Sequence, residues 1–244
     1  MAVSRCRGLF VTGTDTGVGK THLTAAILRV LRGQGVRVGG CKPVASGVEQ
    51  TPEGPRWGDV EALWSALGGE YPRERICPQR FAAPLAPPLA ARAEGATVDP
   101  LALRSAVEWW SDRVEFLLVE GVGGLLAPVS DHELVADLAR DLGFPLLIVA
   151  RRGLGTINHT LLTCEAARSR GLTVAGLILN EPLPPDPGDV SANLNAAELT
   201  RWSGVPILCE VRHTTGQGLP GPRELQTIAW RSLDQAGDAP PARH

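Results

Sequence analysis

The sequence has no apolar run approaching the ~18 residues that a membrane-crossing helix needs, so a membrane span is excluded. It has no charge surplus either. Its 24 Lys and Arg face 26 Asp and Glu, for a formal net charge of −2 and a sequence pI of about 6.2. A chain so balanced carries no broad basic face, and nucleic acid is not an expected partner. No C-x-x-C pair occurs. The cysteines, Cys6, Cys41, Cys77, Cys164 and Cys209, are scattered and odd in number, the pattern of reduced, mostly buried thiols in a cytoplasmic protein. No two histidines stand at a metal-ligand spacing, so His22, His132, His159, His213 and His244 receive no catalytic role. The opening "MAVSRCRGLFVTGTDTG" lacks the apolar core and cleavage site of a signal peptide. No repeat and no linker-like shift divides residues 1–235, which are read as one domain; residues 236–244 are expected to be a disordered tail.

What is present is an alternation. "GLFVTGT", "VRVGGCKPV", "VEFLLVEG", "FPLLIVA", "LTVAGLILN" and "VPILCEV" read as strands. They are continuous apolar runs, the mark of strands buried on both faces. Between them lie helical patterns. In "THLTAAILRVLRGQG", Leu23, Ala26, Ile27, Val30 and Leu31 recur at three- and four-residue steps, and Gly33 and Gly35 end the helix. Further helices are expected in "DVEALWSALGG", from about Asp99 to Arg113, and in "LVADLARDLG", "GTINHTLLTCEAARSRG" and "VSANLNAAELTRWSG". Residues 48–58 read as a loop. Pro84, Pro87 and Pro88 forbid regular helix across 72–96, although "LAARAEG" can start one. The Trp109-Trp110 pair is read as helix packing. Strand and helix in turn predict a single α/β domain, a mostly parallel sheet with helices on both faces.

"GTDTGVGKT" (residues 13–21) lies between the first strand and the first helix. A phosphate cradle of the form G-x-x-x-x-G-K-[ST] belongs there. That pattern wants Gly at position 14; here Thr14 occupies it and Gly13 comes one residue early, as in a loop one residue longer. The backbone N–H groups of Gly17, Val18 and Gly19 can face an anion, helped by the dipole of the following helix. Lys20 brings a cation to the β- and γ-phosphates and Thr21 a hydroxyl to Mg²⁺. By itself the loop reads as that of a P-loop NTPase. Such a site needs carboxylates, and Glu120 closes the strand "FLLVEG" at the sheet edge where ligands bind. Gly121 to Gly124 after it let backbone approach a ligand. Asp59 is a second carboxylate, and its local context favours capping the helix that starts at Val60. Lys42 ends the second strand and also reaches the ligand edge, with Ser46 and Gly47 just beyond it.

Four stretches occur in order: "VTGTDTGVGKT", "KPVASG", "LLVEGVGGLLAPVSD" and "GTINHTLLT". Together they resemble the dethiobiotin synthetase family, from about Leu9 to Glu210. The family's loop has the form G-T-D-T-x-V-G-K-T, with the same early Gly. The resemblance implies ATP-dependent carboxylation of 7,8-diaminopelargonate with CO₂ and ring closure to dethiobiotin, through a carbamate and its phosphoric anhydride. It further implies that Lys20, Lys42 and Thr16 act on the reacting groups and that Thr21, Asp59 and Glu120 hold Mg²⁺, which favours the ligand reading of Asp59. Nucleotide contacts fall to Gly17, Val18, Gly19, Lys20, Thr21, His22, Asp59, Glu120, Gly121, Val122, Gly123 and Asn180, the last resembling the family's adenine-recognising Asn. Substrate contacts fall to Thr16, Lys42, Ser46 and, across a homodimer interface, to the helix start at Gly155, Thr156, Ile157 and Asn158. Three departures stand out. Gly17 replaces an acidic residue of some members; Ala83, Ala86 and Pro88 replace polar loop residues; and Arg212 stands where Pro is common. Two other readings remain: a partitioning-type ATPase switch, whose extra loop lysine would stand at Asp15, and another ATP-dependent amide-forming enzyme of the superfamily.

Overall fold

The apolar runs fold into six strands, five of them with residues buried in succession; in the edge strand at Ile207–Val211 only Val211 is fully covered. In β1 (Arg7–Gly13), six consecutive residues are buried. Because neighbouring side chains on a strand point to opposite faces, such a strand must be covered on both sides. The computed structural model describes residues 6–184, 186, 188–213 and 223–238. After β1 come α1 (Lys20–Gly33), β2 (Val38–Cys41), β3 (Val44–Ser46), β4 (Glu49–Thr51), β5 (Gly54–Arg56), α2 (Gly58–Ala66), α3 (Arg73–Ile76), β6 (Gln79–Phe81), α4 (Pro87–Ala93) and α5 (Pro100–Glu108). The second half holds β7 (Phe116–Gly124), α6 (Val135–Leu142), β8 (Leu146–Arg151), α7 (Thr156–Arg168), β9 (Val174–Asn180), α8 (Asn195–Ser203), β10 (Ile207–Val211) and α9 (Arg223–Gln226), with 3-10 turns at Val190–Asn193 and Trp230–Asp238.

The central sheet has the order β10-β9-β8-β1-β7-β2, and every pairing in it is parallel. From β1 the chain passes to β2 on one side and later to β8 on the other. The strand order therefore reverses beside β1, and the crevice at such a switch point is where α/β sheets bind ligands. The loop 13–21 sits in it. β1 aligns Val11 with Glu120 and then Gly13 with Gly124, a register shift that opens the sheet at that point.

The helix α1 is buried more widely than a single stripe predicts. Ala25 and Leu28 are covered as well as Leu23, Ala26, Ile27 and Leu31, because α1 packs on the sheet and against α2 together. Several local expectations are corrected. Residues 48–58 are not a plain loop: β4 and β5 form a short antiparallel hairpin. Residues 72–96 are more regular than their prolines suggest. They hold α3, β6 and α4, and β6 pairs in parallel with β3. Pro87 and Pro88 lie in the first turn of α4, where a missing N–H costs no hydrogen bond. The helix after Asp99 stops at Glu108, so Trp109 and Trp110 lie past its end. Trp110 is fully buried and packs edge-on against Trp109 and Tyr71. The last 3-10 turn is tied to β1 through an Arg7–Asp234 ion pair, and residues 236–238 belong to that turn. The rest of the expected tail, 239–244, lies outside the described residues. No helix among the described residues is long and apolar enough to cross a membrane.

Candidate active site

The loop is shaped by close approach. A Cβ on Gly13 would lie 2.8 Å from the Asp15 carbonyl and 3.0 Å from the Lys20 ammonium. The early glycine thus leaves the space through which Lys20 folds back to donate to the Asp15 carbonyl at 2.9 Å. Gly19 has φ +94° and caps α1. A side chain there would also collide with the Asn180 carboxamide, so glycine is required twice over. Asn180, at the end of β9, donates to the Val18 carbonyl at 2.8 Å. Gly17 has nothing within 4 Å of where a side chain would begin.

Four of the expected residues meet beside this loop. Thr21, in the first turn of α1, places Oγ1 at 2.8 Å from Asp59 Oδ1 and 2.6 Å from Glu120 Oε1. Lys42 Nζ lies 2.6 Å from Asp59 Oδ2 and 2.7 Å from Glu120 Oε1. The backbone of Lys42 is anchored by donation to the Ile76 carbonyl at 2.8 Å. Glu120 is 1% exposed and Lys42 3%, whereas the Asp59 side chain is 45% exposed. Asp59 does not cap α2. The N-cap position is Trp57, without a side-chain cap, and the Asp59 carboxylate is spent on Lys42 and Thr21. The capping expectation fails because a buried ammonium outcompetes solvated backbone N–H groups for a carboxylate. Lys20 and Lys42 are the chain's only lysines.

Burial drives the Lys20 ammonium down to about 8, and the nearby positive charge of Lys42 adds to the fall. Burial alone would do the same to Lys42. There the two carboxylates more than offset it, and Lys42 is held above the ordinary lysine value. Burial works upward on Asp59 as well, yet the Lys42 charge and hydrogen bond win and keep its carboxyl below the usual range.

The donor set suits a small hard cation. Thr21 has one hydroxyl proton and can satisfy one carboxylate at a time, yet its oxygen touches two. Glu120 Oε2 is buried and has no hydrogen-bond partner. A cluster with more acceptors than protons, built from a hydroxyl and two carboxylates, is the type that takes Mg²⁺. No group of three or more His, Cys, Asp and Glu stands close enough to form a metal cluster among the described residues.

The remaining expected residues lie around this centre. Thr16 is exposed, and its hydroxyl is 3.6 Å from where a Gly123 side chain would begin. Gly121 and Val122 continue β7 beside Glu120. Ser46 donates its hydroxyl to the Leu85 carbonyl at 2.6 Å, so it faces the proline-rich segment. His22 is exposed on the first turn of α1. Gly155 caps α7, with Thr156 buried, Ile157 half-buried and Asn158 exposed; none of the four is bonded to the Lys42 cluster in the described contacts.

A cavity of about 540 Å³ opens on the other side of Gly17, walled by Arg151, Leu154, Pro182, Leu183 and Arg212. At its floor lies a group that sequence reading missed. Arg152, just past β8, donates to Glu210 at 2.8 Å, to Glu181 at 3.2 Å and to Asn193 Oδ1 at 2.9 Å. A usable signal existed: Arg152 and Glu181 stand one residue past apolar strand runs, near strand ends as Lys42 and Glu120 do.

A parallel sheet with its phosphate-type loop at the switch point, a loop lysine and a hydroxyl–carboxylate cluster define a P-loop nucleotide-dependent enzyme. A family model described as an AAA domain matches residues 7–216. A ParA family ATPase from Chlorobium tepidum TLS has TM-score 0.50 over 86% of this chain and 85% of that one, and at 13% identity it shares the fold alone. Curated relatives narrow the class. An ATP-dependent dethiobiotin synthetase from Anaeromyxobacter dehalogenans (strain 2CP-C) is 52% identical over 80% of this chain and 85% of its own length. One from Rhodopirellula baltica is 43% identical over 85% of this chain and 84% of its own length. The chain belongs to the ATP-dependent dethiobiotin synthetase family.

Proposed function

We propose that this protein closes the cyclic urea of dethiobiotin from 7,8-diaminopelargonate, CO₂ and ATP, with Mg²⁺ as cofactor, as a cytoplasmic homodimer. The observation that carries the reading is the meeting of Lys42, Asp59, Glu120 and Thr21 beside the phosphate-type loop, in a chain about half identical to dethiobiotin synthetases.

One substrate amine takes up CO₂ and loses a proton, giving a carbamate. A carbamate oxygen attacks the γ-phosphorus of ATP, and the bond to the ADP oxygen breaks. The second amine then attacks the carbonyl of this mixed anhydride. Phosphate leaves, a proton is lost and the ring closes. Two anions must meet in the phosphoryl step, so the chain's work is to neutralise and align them. Lys20 serves the β- and γ-phosphates. Lys42 bridges carbamate and γ-phosphate, and the Thr16 hydroxyl donates to the developing charge. Thr21, Asp59 and Glu120 would hold the metal, which when bound would draw charge from the phosphate oxygens. Gly17, Val18 and Gly19 offer N–H groups to phosphate, flanked by His22 and by Gly121, Val122 and Gly123. Asn180, whose carboxamide donates to the Val18 carbonyl, recognises the adenine base. Ser46 contacts the diamine, and Gly155, Thr156, Ile157 and Asn158 present a helix N-terminus to its tail carboxylate across the dimer interface. The dimer reading is supported by Leu154 and Leu162, which are exposed at 85% and 60% around this helix.

The test is ADP release by the purified protein with ATP, Mg²⁺ and bicarbonate. Release is expected only on adding the diamine, with dethiobiotin formed in equal amount. Turnover indifferent to the diamine removes the proposal.

A further inference from the structure

Lys42 satisfies the two carboxylates that are read above as metal ligands. Its ammonium touches Asp59 Oδ2 and Glu120 Oε1 at 2.6 and 2.7 Å, and Thr21 Oγ1 touches the other Asp59 oxygen and the same Glu120 oxygen. The same three side chains therefore serve either this ammonium or a divalent cation placed among them. An ammonium bound to both carboxylates keeps only one of its three directional protons for a substrate anion, and its charge is already offset.

We infer that Lys42 is a place-holding cation: it neutralises Asp59 and Glu120 until Mg²⁺ arrives, and the metal's arrival frees it to turn toward the substrate. This rests on the proposed reading of Thr21, Asp59 and Glu120 as the metal site. Without a cation, Glu120, buried at 1% exposure, would be a charge in the protein interior, which is costly. Lysine suits the place because its flexible stem ends in a compact charge that can swing away from one set of partners to another. Exchange also imposes order. The metal gains two carboxylates only as Lys42 gives them up, so metal binding and the freeing of Lys42 are reciprocal. Glu120 Oε2, buried and unpartnered, is an acceptor that Lys42 leaves unused and a cation can add.

The test compares wild type with Lys42→Met, without nucleotide or diamine, using Mn²⁺ binding read by electron paramagnetic resonance and melting temperature in chelator or Mg²⁺. Lys42→Met is expected to bind Mn²⁺ about tenfold more tightly, since a competing buried charge is gone. It is also expected to melt below wild type in chelator and to be raised by Mg²⁺ far more than wild type is. Equal or weaker Mn²⁺ binding by Lys42→Met, with wild type binding normally, overturns the inference and leaves the metal reading standing. Mn²⁺ binding unchanged in Glu120→Gln overturns the metal reading and the inference with it. Should Lys42→Met not fold, wild type decides by ¹⁵N NMR of lysine ammonium groups, of which the chain has two. Mg²⁺ must shift the Lys42 signal; a signal unmoved by a saturating metal concentration overturns the exchange.

Discussion

Lys42 and Arg152 are both buried cations at the carboxyl ends of strands in one sheet, and they are held in opposite ways. Lys42 is a single ammonium shared between two carboxylates, one of which keeps an unpartnered oxygen. Arg152 is a planar fork whose arms reach Glu181, Glu210 and Asn193, and its own N–H donates to the Asn180 carbonyl at 2.8 Å. Glu181 in turn accepts from the His213 N–H. The guanidinium network joins the ends of β8, β9 and β10, with a partner on each of its three nitrogens. A fork held at all three nitrogens fixes geometry; a shared point charge with acceptors to spare can be exchanged. The sheet thus carries a permanent clamp on the side of the large cavity and a replaceable counter-ion on the side of the phosphate loop.

The sharpest way to break the reactive side is Lys20→Ala. Steady-state ADP release is expected to fall by about 10³-fold or more, as for loss of a charge aimed at a transferring phosphoryl group. Lys42→Ala is expected to lower kcat by about 10²-fold while nucleotide affinity, measured by calorimetry, changes little. Arg152→Met breaks the other side. It strands Glu181 and Glu210 and is expected to cost about 3 kcal/mol in denaturant unfolding. Mg²⁺ should not recover that loss, in contrast to Lys42→Met. Weaker still is the effect of pH on Lys20, which sits at about 8. Between that value and its ordinary one the unfolded chain holds more proton than the folded chain, so fold stability rises with pH. Nucleotide affinity moves the other way. It should be flat below pH 8 and fall by up to about tenfold per unit above it, because phosphate must then recruit the missing proton. The smallest effect is expected of Gly17→Ala. Nothing obstructs the new methyl, but φ is +74°, so the change should cost about 1 kcal/mol of stability in thermal melts.

The two sides were unequally legible in the sequence. All six central strands could be read: five are covered on both faces and so must be apolar throughout, and the edge strand β10 keeps the apolar run of "VPILCEV". Lys20, Thr21 and Glu120 were legible because a loop between strand and helix fixes where its neighbours go. Asp59 was not settled by local signal: its choice between capping a helix and meeting Lys42 depends on a partner in another element. The Arg152 network was only half signalled: its strand-end position could be read, but its partners come from three further segments. The β4–β5 hairpin and the β3–β6 pair escaped because they are three residues per strand, too short for periodicity to register. Helix α4 was obscured because proline's penalty depends on its place in a turn, and Pro87 and Pro88 occupy the harmless one.

The chain's two lysines both stand at the phosphate-type loop and the carboxylates beside it, and every other permanently charged basic side chain is arginine. Away from its N-terminus, the protein therefore offers amine chemistry at one place only. On the proposed reading, a reagent that reached and acylated these buried lysines would mark the active site alone among the side-chain amines, and an acetyl group on either is expected to switch the enzyme off.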